Sequence, residues 1–176
     1  MQQWERKSPL ATCSSNSSPS VKIEIGESMS LKMKVLQPLM RKVMEDLIAF
    51  NKHIGLKVES FEQAAPKLRF DMRPELVGNP TRQILHGGVI SAALDVVGGF
   101  AIMLSLAHSM DEVPTSFPNM GTIDLRVDYL RPGRGKYFIA TGRIVRKGSR
   151  IAVTHMELHN DAGELIATGG AAYVVG

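Results

Sequence analysis

The sequence predicts an α+β domain in which an antiparallel sheet curls around one long apolar helix. Three observations carry this reading. The run from Gly87 to Ala107 is apolar on almost every side, and a helix of that kind has to be enclosed by protein. Strand-like alternation fills nearly all of the chain after Thr122. The alternating segments are joined by short Gly-, Asn- and Pro-bearing turns, which suit antiparallel neighbours.

Taken in order, the first element is an additional N-terminal helix. Between Val35 and Phe50, Leu36, Leu39, Met40, Val43, Met44, Leu47 and Ile48 recur at spacings of three and four and mark one helical face; Pro38 is tolerated near its first turn. Ile54 to Phe61 and Lys67 to Met72 alternate and read as a strand pair around Gln63, Ala64, Ala65 and Pro66. Arg73 to Leu85, with Pro74, Gly78, Asn79 and Pro80, reads as a loop. The apolar helix follows, then a loop with Pro114 and Pro118. In Thr122 to Leu130, period-two alternation sets Ile123, Leu125, Val127 and Tyr129 on one face and Asp124, Arg126 and Asp128 on the other. Tyr137 to Val145, Ile151 to Leu158 and Leu165 to Val175 complete the sheet, with turns at Arg131 to Gly135, Lys147 to Arg150 and Asn160 to Gly163.

A chain of 176 residues with 44% apolar content fits one domain. Residues 29–176 are expected to form it, and the polar, Ser-rich stretch 1–28 reads as a poorly ordered tail with no secretory core. The single cysteine, Cys13, excludes a disulfide framework and a cysteine-based metal site and fits a reducing, cytoplasmic setting. A membrane span through Gly87 to Ala107 would bury Asp95 at a cost of about 2.5 to 3.5 kcal/mol, with no flanking anchor. Nucleic acid is disfavoured by the scarcity of aromatic platforms and recognised binding motifs. Serine-hydrolase elbows, P-loops, zinc-protease and dinucleotide motifs are missing from the sequence. His53, His86, His108, His155 and His159 never reach ligand density, so neither a metal nor a cofactor is expected.

The sharpest chemical feature is His86, Gly87 and Gly88 at the start of the apolar helix, with Asp95 two turns inside it. Backbone N–H groups at a helix start lack intrahelical partners, and the helix dipole adds positive charge there, which suits a developing oxyanion. Asp95 is the only ionisable residue between His86 and His108. A catalytic base is one reason for a carboxylate in such surroundings; a structural Asp bonded to backbone or to a Tyr is the other. Gly87 and Asp95 are separated by eight residues, roughly 12 Å of helix rise. One chain therefore cannot easily bring both to one carbonyl, and a two-fold dimer with antiparallel central helices would. Positive charge concentrates late, at Arg126, Arg131, Arg134, Lys136, Arg143, Arg146, Lys147 and Arg150. Such residues beside turns suit a nucleotide phosphate, and they equally suit sheet edges that must not pair.

The run L-H-G-G-V-I-S-A-A-L-D, Leu85 to Asp95, with T-I-D-L-R-V-D-Y-L-R-P-G, Thr122 to Gly133, resembles the signature of PaaI-type hotdog thioesterases. The similarity is nearest to their medium- and long-chain acyl-CoA branch and runs from about Val35 to Gly176. The resemblance implies a hotdog fold and hydrolysis of acyl-CoA to a free fatty acid and CoA by a homodimer, with pairing of dimers into tetramers left open. It implies that Asp95 is the nucleophile or general base, that the Gly87 N–H polarises the carbonyl beside His86, that Thr122 positions water or the carboxylate, and that Asn79 orients them. Asn79 lies one residue farther from His86 than the pattern has it, which makes Gln83 a substitute. Substrate contacts are expected from Gly88, Gln83, Arg131 and the segment Arg146, Lys147, Gly148, Ser149 and Arg150, which matches a region near the nucleotide of CoA. The Val35 to Phe50 helix either caps the core or covers an acyl tunnel. A hotdog hydratase or dehydratase, and a non-catalytic acyl-CoA-binding module, are the alternative functions.

Overall fold

The computed structural model describes residues 33–109 and 119–175; the tail 1–28 and the loop prolines Pro114 and Pro118 lie outside the described residues. A helical segment, α1, covers residues 33–47 and ends in a π turn at Val43–Leu47. After a break at Ile48 the short helix α2 covers Ala49–Ile54. Then come β1 Lys57–Ser60, β2 Lys67–Asp71, β3 Val77–Asn79, β4 Ile84–Leu85, α3 Gly87–Ser109, β5 Gly121–Tyr129, β6 Tyr137–Lys147, β7 Ile151–Asn160 and β8 Leu165–Val174.

Six strands form one sheet in the order β1-β2-β6-β7-β8-β5, every neighbouring pair antiparallel. This is the predicted wrap around a central helix. Lengths match: 23 residues make α3 about 34 Å long, and strands of 9 to 11 residues span about 30 to 37 Å. Leu94, Val97, Phe100 and Leu104 of α3 are fully buried with Phe70, Phe138, Ala140, Met156 and Leu158 from the inner face of the sheet. Phe70 stacks on Phe138 at 5.4 Å between ring centroids. Small inner-face residues let the helix backbone come down onto the strands. A Cβ at Gly142 of β6 would lie 2.6 Å from the Val97 carbonyl oxygen.

Four expectations are corrected. The N-terminal helix is two pieces, because Ile48 adopts extended backbone (φ −78°, ψ 102°) and its N–H reaches back to Val43 O in the π turn. Ile54, read as the start of a strand, closes α2 instead; Gly55 at φ +82° caps it, as its left-handed conformation favours. The stretch read as a plain loop carries a one-turn 3₁₀ helix, Pro74–Leu76, and a ribbon of β3 with β4. Strand β5 also departs from simple alternation. Its register against β8 shifts between Thr122 and Asp124, so Ile123 is an extra, bulged residue, 58% exposed. Thr122 and Leu125, opposite inward-facing Tyr173 and Ala171, therefore point to the helix side together.

The N-terminal segment is latched to the sheet by charge as well as by packing. Glu45 accepts from Val58 N–H at 2.9 Å and pairs with Arg41 at 2.8 Å and Lys57 at 3.0 Å. Burial pushes its carboxyl up, but these donors outweigh burial and hold it below the usual carboxylate range. The helix α3 is long and apolar enough to cross a membrane, yet over half of its most apolar window is buried inside the protein.

Adding one methyl where α3 meets β6, by Gly142→Ala, is expected to lower stability by about 1 to 3 kcal/mol through overpacking against backbone that cannot turn aside. A shift of the urea midpoint at constant m-value reads it.

Candidate active site

Asp95 lies at mid-helix on the stripe of α3 that the sheet covers least: Ala92, Asp95, Val96, Gly99 and Met103 are only half-buried. Its carboxylate is held from two strands. Thr122 Oγ1 donates to Oδ1 at 2.9 Å. The Tyr173 hydroxyl stands 2.8 Å from the Asp95 backbone carbonyl and 3.1 Å from Oδ1, sharing its one proton between them. Gly98 makes this possible, since a Cβ there would collide with the Tyr173 hydroxyl and lie 2.9 Å from Thr154 Oγ1. The second oxygen, Oδ2, accepts no hydrogen bond from the described residues. Burial raises the Tyr173 phenol far above its ordinary value of 10.0, and the neighbouring Asp95 charge raises it further.

Beside Asp95 opens a cleft of about 180 Å³. Asp95, Thr122 and Tyr173 supply its polar wall. Met44 and Ile48 from the π turn and its break, with Val96, Met103 and Met120, supply the apolar one. The N-terminal helix therefore both caps the core, through Leu36, Met40 and Met44, and walls the cleft.

At the other end of the same helix stretch, His86 Nδ1 accepts from Gly88 N–H at 2.8 Å and caps the helix. That bond needs the ring nitrogen unprotonated, and it takes one of the two glycine donors. The Gly87 N–H has no partner among the described residues. Its peptide is fixed from the carbonyl side, where Tyr129 donates to Gly87 O at 3.1 Å. A Cβ at Gly87 would lie 3.4 Å from the Tyr129 ring.

The other sequence candidates fall in separate places. Asn79 turns its side chain inward on its own loop, accepting from Thr81 N–H, Thr81 Oγ1 and Arg82 N–H, while Gln83 donates to Pro80 O at 2.7 Å. Gln83 sits at φ +51°, a left-handed conformation that a non-glycine residue adopts at some strain. Neither makes a hydrogen bond to Asp95. Arg131 donates to Leu165 O beside the loop whose Gly133 O accepts from Leu85 N–H, next to the helix start. Arg146, Lys147, Gly148, Ser149 and Arg150 are exposed at the β6–β7 turn, where Lys147 reaches Ser105 Oγ. The whole of β6, about 35 Å, lies between these two basic groups in one chain. Tyr173, Tyr129 and Asn51 were not singled out by sequence. The signal for Tyr173 was present: inward alternation along β8 through Ala167, Gly169 and Ala171 ends on a tyrosine, and a buried phenol needs a partner.

The family model of the thioesterase superfamily matches residues 82–167. The chain is 47% identical to the medium/long-chain acyl-CoA thioesterase YigI of Salmonella typhimurium over 132 residues, 72% of this chain and 85% of that protein. It is 46% identical to YigI of Escherichia coli K12 over the same shares. A solved structure from Shewanella oneidensis, described as related to the thioesterase superfamily, superposes with a TM-score of 0.75 at 40% identity, covering 83% of this chain and 98% of that one.

The raised phenol of Tyr173 stabilises the fold at neutral pH. Because its folded value lies above the unfolded one, the contribution is complete below pH 10.0 and is lost as pH climbs beyond it. In a spectrophotometric titration of the three tyrosines, one is expected to ionise only as the protein unfolds. In Asp95→Asn, with the neighbouring charge gone, that tyrosine should ionise at lower pH than in the parent.

Proposed function

The chain belongs to the thioesterase superfamily, and from that premise we propose that it hydrolyses acyl-CoA thioesters of medium to long chain with Asp95 as the catalytic carboxylate. The observation that carries the reading is Asp95 itself: a carboxylate oriented by Thr122 and Tyr173, with one oxygen open, at the wall of an apolar cleft. A flexible alkyl chain suits a wall of Met44, Met103 and Met120, whose unbranched side chains adapt to irregular shapes. The relatives named as medium/long-chain acyl-CoA thioesterases support the same substrate class.

Two routes share this geometry. Asp95 takes a proton from water as the hydroxide adds to the thioester carbonyl, or its open oxygen adds directly and water later cleaves the mixed anhydride. Either way the carbonyl oxygen becomes an oxyanion, which collapses with departure of the CoA thiolate. A preorganised donor for that oxyanion is the largest lever available, and the Gly87 N–H at the positive end of α3, without a partner among the described residues, is the group suited to it.

Gly87 and Asp95 of one chain are about 12 Å apart along the helix, so the reading includes a homodimer in which Gly87 of one copy serves Asp95 of the other. Strand β5 supports it. Among the described residues it ends the sheet with one backbone edge unpaired and carries Ile123 and Tyr129 at 58% and 54% exposure, and a long exposed edge is a ready template for pairing with another strand. A two-fold axis there makes two identical sites. In such a dimer the Asn79–Gln83 loop beside one Gly87 could also approach the other copy's Asp95. The basic β6–β7 turn, Arg146 to Arg150, is the part suited to the phosphates of CoA.

Asp95→Asn should keep the fold and lose at least about a hundredfold in kcat for thiol release from a long-chain acyl-CoA; near-normal turnover would sink the assignment. Gly87 is the first residue of α3, a position where proline is tolerated. Gly87→Pro removes its N–H and should cost about 10² to 10³ in kcat, whereas Gly87→Ala, which keeps the donor, should retain most of the rate. Equal losses in both variants would point to packing against Tyr129 instead. Both readings require a dimer by light scattering.

A further inference from the structure

Two adjacent glycines stand in the middle of α3, one turn beyond Asp95, and packing accounts for only one of them. A glycine inside a helix disfavours folding by roughly two- to fivefold relative to alanine, so each calls for a reason. At Gly98 the reason is contact: a Cβ there would collide with the Tyr173 hydroxyl and lie 2.9 Å from Thr154 Oγ1. At Gly99 a Cβ would meet, among the described residues, only Met120 Cε at 3.5 Å and Tyr173 Cε1 at 3.8 Å, both ordinary van der Waals distances. The fold therefore has room for a methyl group at Gly99. The position lines the cleft together with Asp95 and Met103 of the same helix. Met44, Ile48 and Asn51 line it from α1 and α2, with the Asn51 amide tied to Met44 O at 3.0 Å.

Asp95, Gly99 and Met103 follow one another at four-residue spacing, so they share one face of α3. Gly99 lies about 6 Å and Met103 about 12 Å along the helix axis from Asp95. An acyl chain with its carbonyl at Asp95 and its tail running toward Met103 has to cross Gly99. We propose that Gly99 is a specificity-determining residue: its bare backbone is the floor over which the acyl chain passes, and the missing side chain is what admits medium and long chains. This rests on the thioesterase reading and adds where in the cleft the acyl portion lies. An acetyl or propionyl group ends before Gly99, whereas a longer chain crosses it. One methyl group in an apolar pocket discriminates between substrates by about ten- to 200-fold, so a single added carbon at this position is enough to be felt. Gly99 touches the chain away from the reacting atoms and takes no part in bond making.

The experiment measures thiol release by the full-length protein and by Gly99→Ala along a straight-chain series from acetyl-CoA to palmitoyl-CoA. Inhibition by free CoA, which carries no acyl chain, is the reference. In the variant, kcat/KM is expected to fall about tenfold or more for chains long enough to cross residue 99 and to fall less for shorter ones, while the inhibition constant of free CoA stays that of the parent. The urea midpoint of the variant should equal or exceed the parent's, because alanine is the better helix former. A loss by the same factor at every chain length, or a matching rise in the inhibition constant of free CoA, overturns the proposal, since it marks the reacting centre or the CoA arm. Unchanged long-chain turnover overturns it too, as does a variant that no longer folds, which would mean that the fold itself needs the bare backbone. No thiol release from any acyl-CoA by the parent would instead strike the thioesterase reading, and the specificity proposal with it.

Discussion

The enclosure of α3 is the constraint from which the other features follow. A helix of 23 residues with apolar side chains on nearly all sides has no stable exposed face, and the six-stranded sheet covers most of it by curling. Close cover needs small residues on the strands. Gly142 lies under the Val97 carbonyl, and Gly98 leaves room for the Tyr173 hydroxyl against the helix backbone. The same close approach that excludes water from the core brings a strand tyrosine within hydrogen-bond distance of a helix carboxylate.

One stripe of α3 escapes the sheet, and the candidate carboxylate, Asp95, lies on it. α1 and α2 line one cleft with that stripe, through a π turn and a break instead of a continuous helix. A regular helix would spend each carbonyl on its own backbone and pack flush. The π turn releases Met44 O for Asn51 and sets Met44, Ile48 and Asn51 along the cleft. Glu45, one residue on, ties the distorted segment to β1 by hydrogen bond and ion pair. The irregularity is thus anchored on one side and lines the cleft on the other.

Helix rise is why the proposed site calls for a second copy of the chain. The helix start with its Gly87 N–H and the oriented carboxylate of Asp95 belong to one rigid element, and rigidity keeps them about 12 Å apart. Both are individually prepared. Tyr129 holds the Gly87 peptide from its carbonyl side, and Thr122 with Tyr173 holds the carboxylate. Since β5 supplies Thr122 and Tyr129 and is one of the two edge strands of the sheet among the described residues, a copy pairing there, as proposed, would meet both groups at once.

Periodicity along the chain by itself determined the enclosed helix, the six strands of the main sheet in their order, and the hairpin at Asn160 to Gly163, where Gly163 has φ +78°. These are local or one-dimensional properties: apolar spacing, turn residues, a lone carboxylate in an apolar run. The motif resemblance pointed to Asp95, Gly87 and Thr122, and the structure brings Thr122 to Asp95 although simple alternation would have turned it away, because the bulge at Ile123 resets the face. Tertiary structure alone decided the rest. Tyr173 reaches Asp95 across 78 positions of chain, Asn51 finds its acceptor only through the π turn, and Asn79 closes on its own loop. Each depends on which surfaces meet and at what distance, and a sequence period records the face a residue occupies but not the partner it will find there.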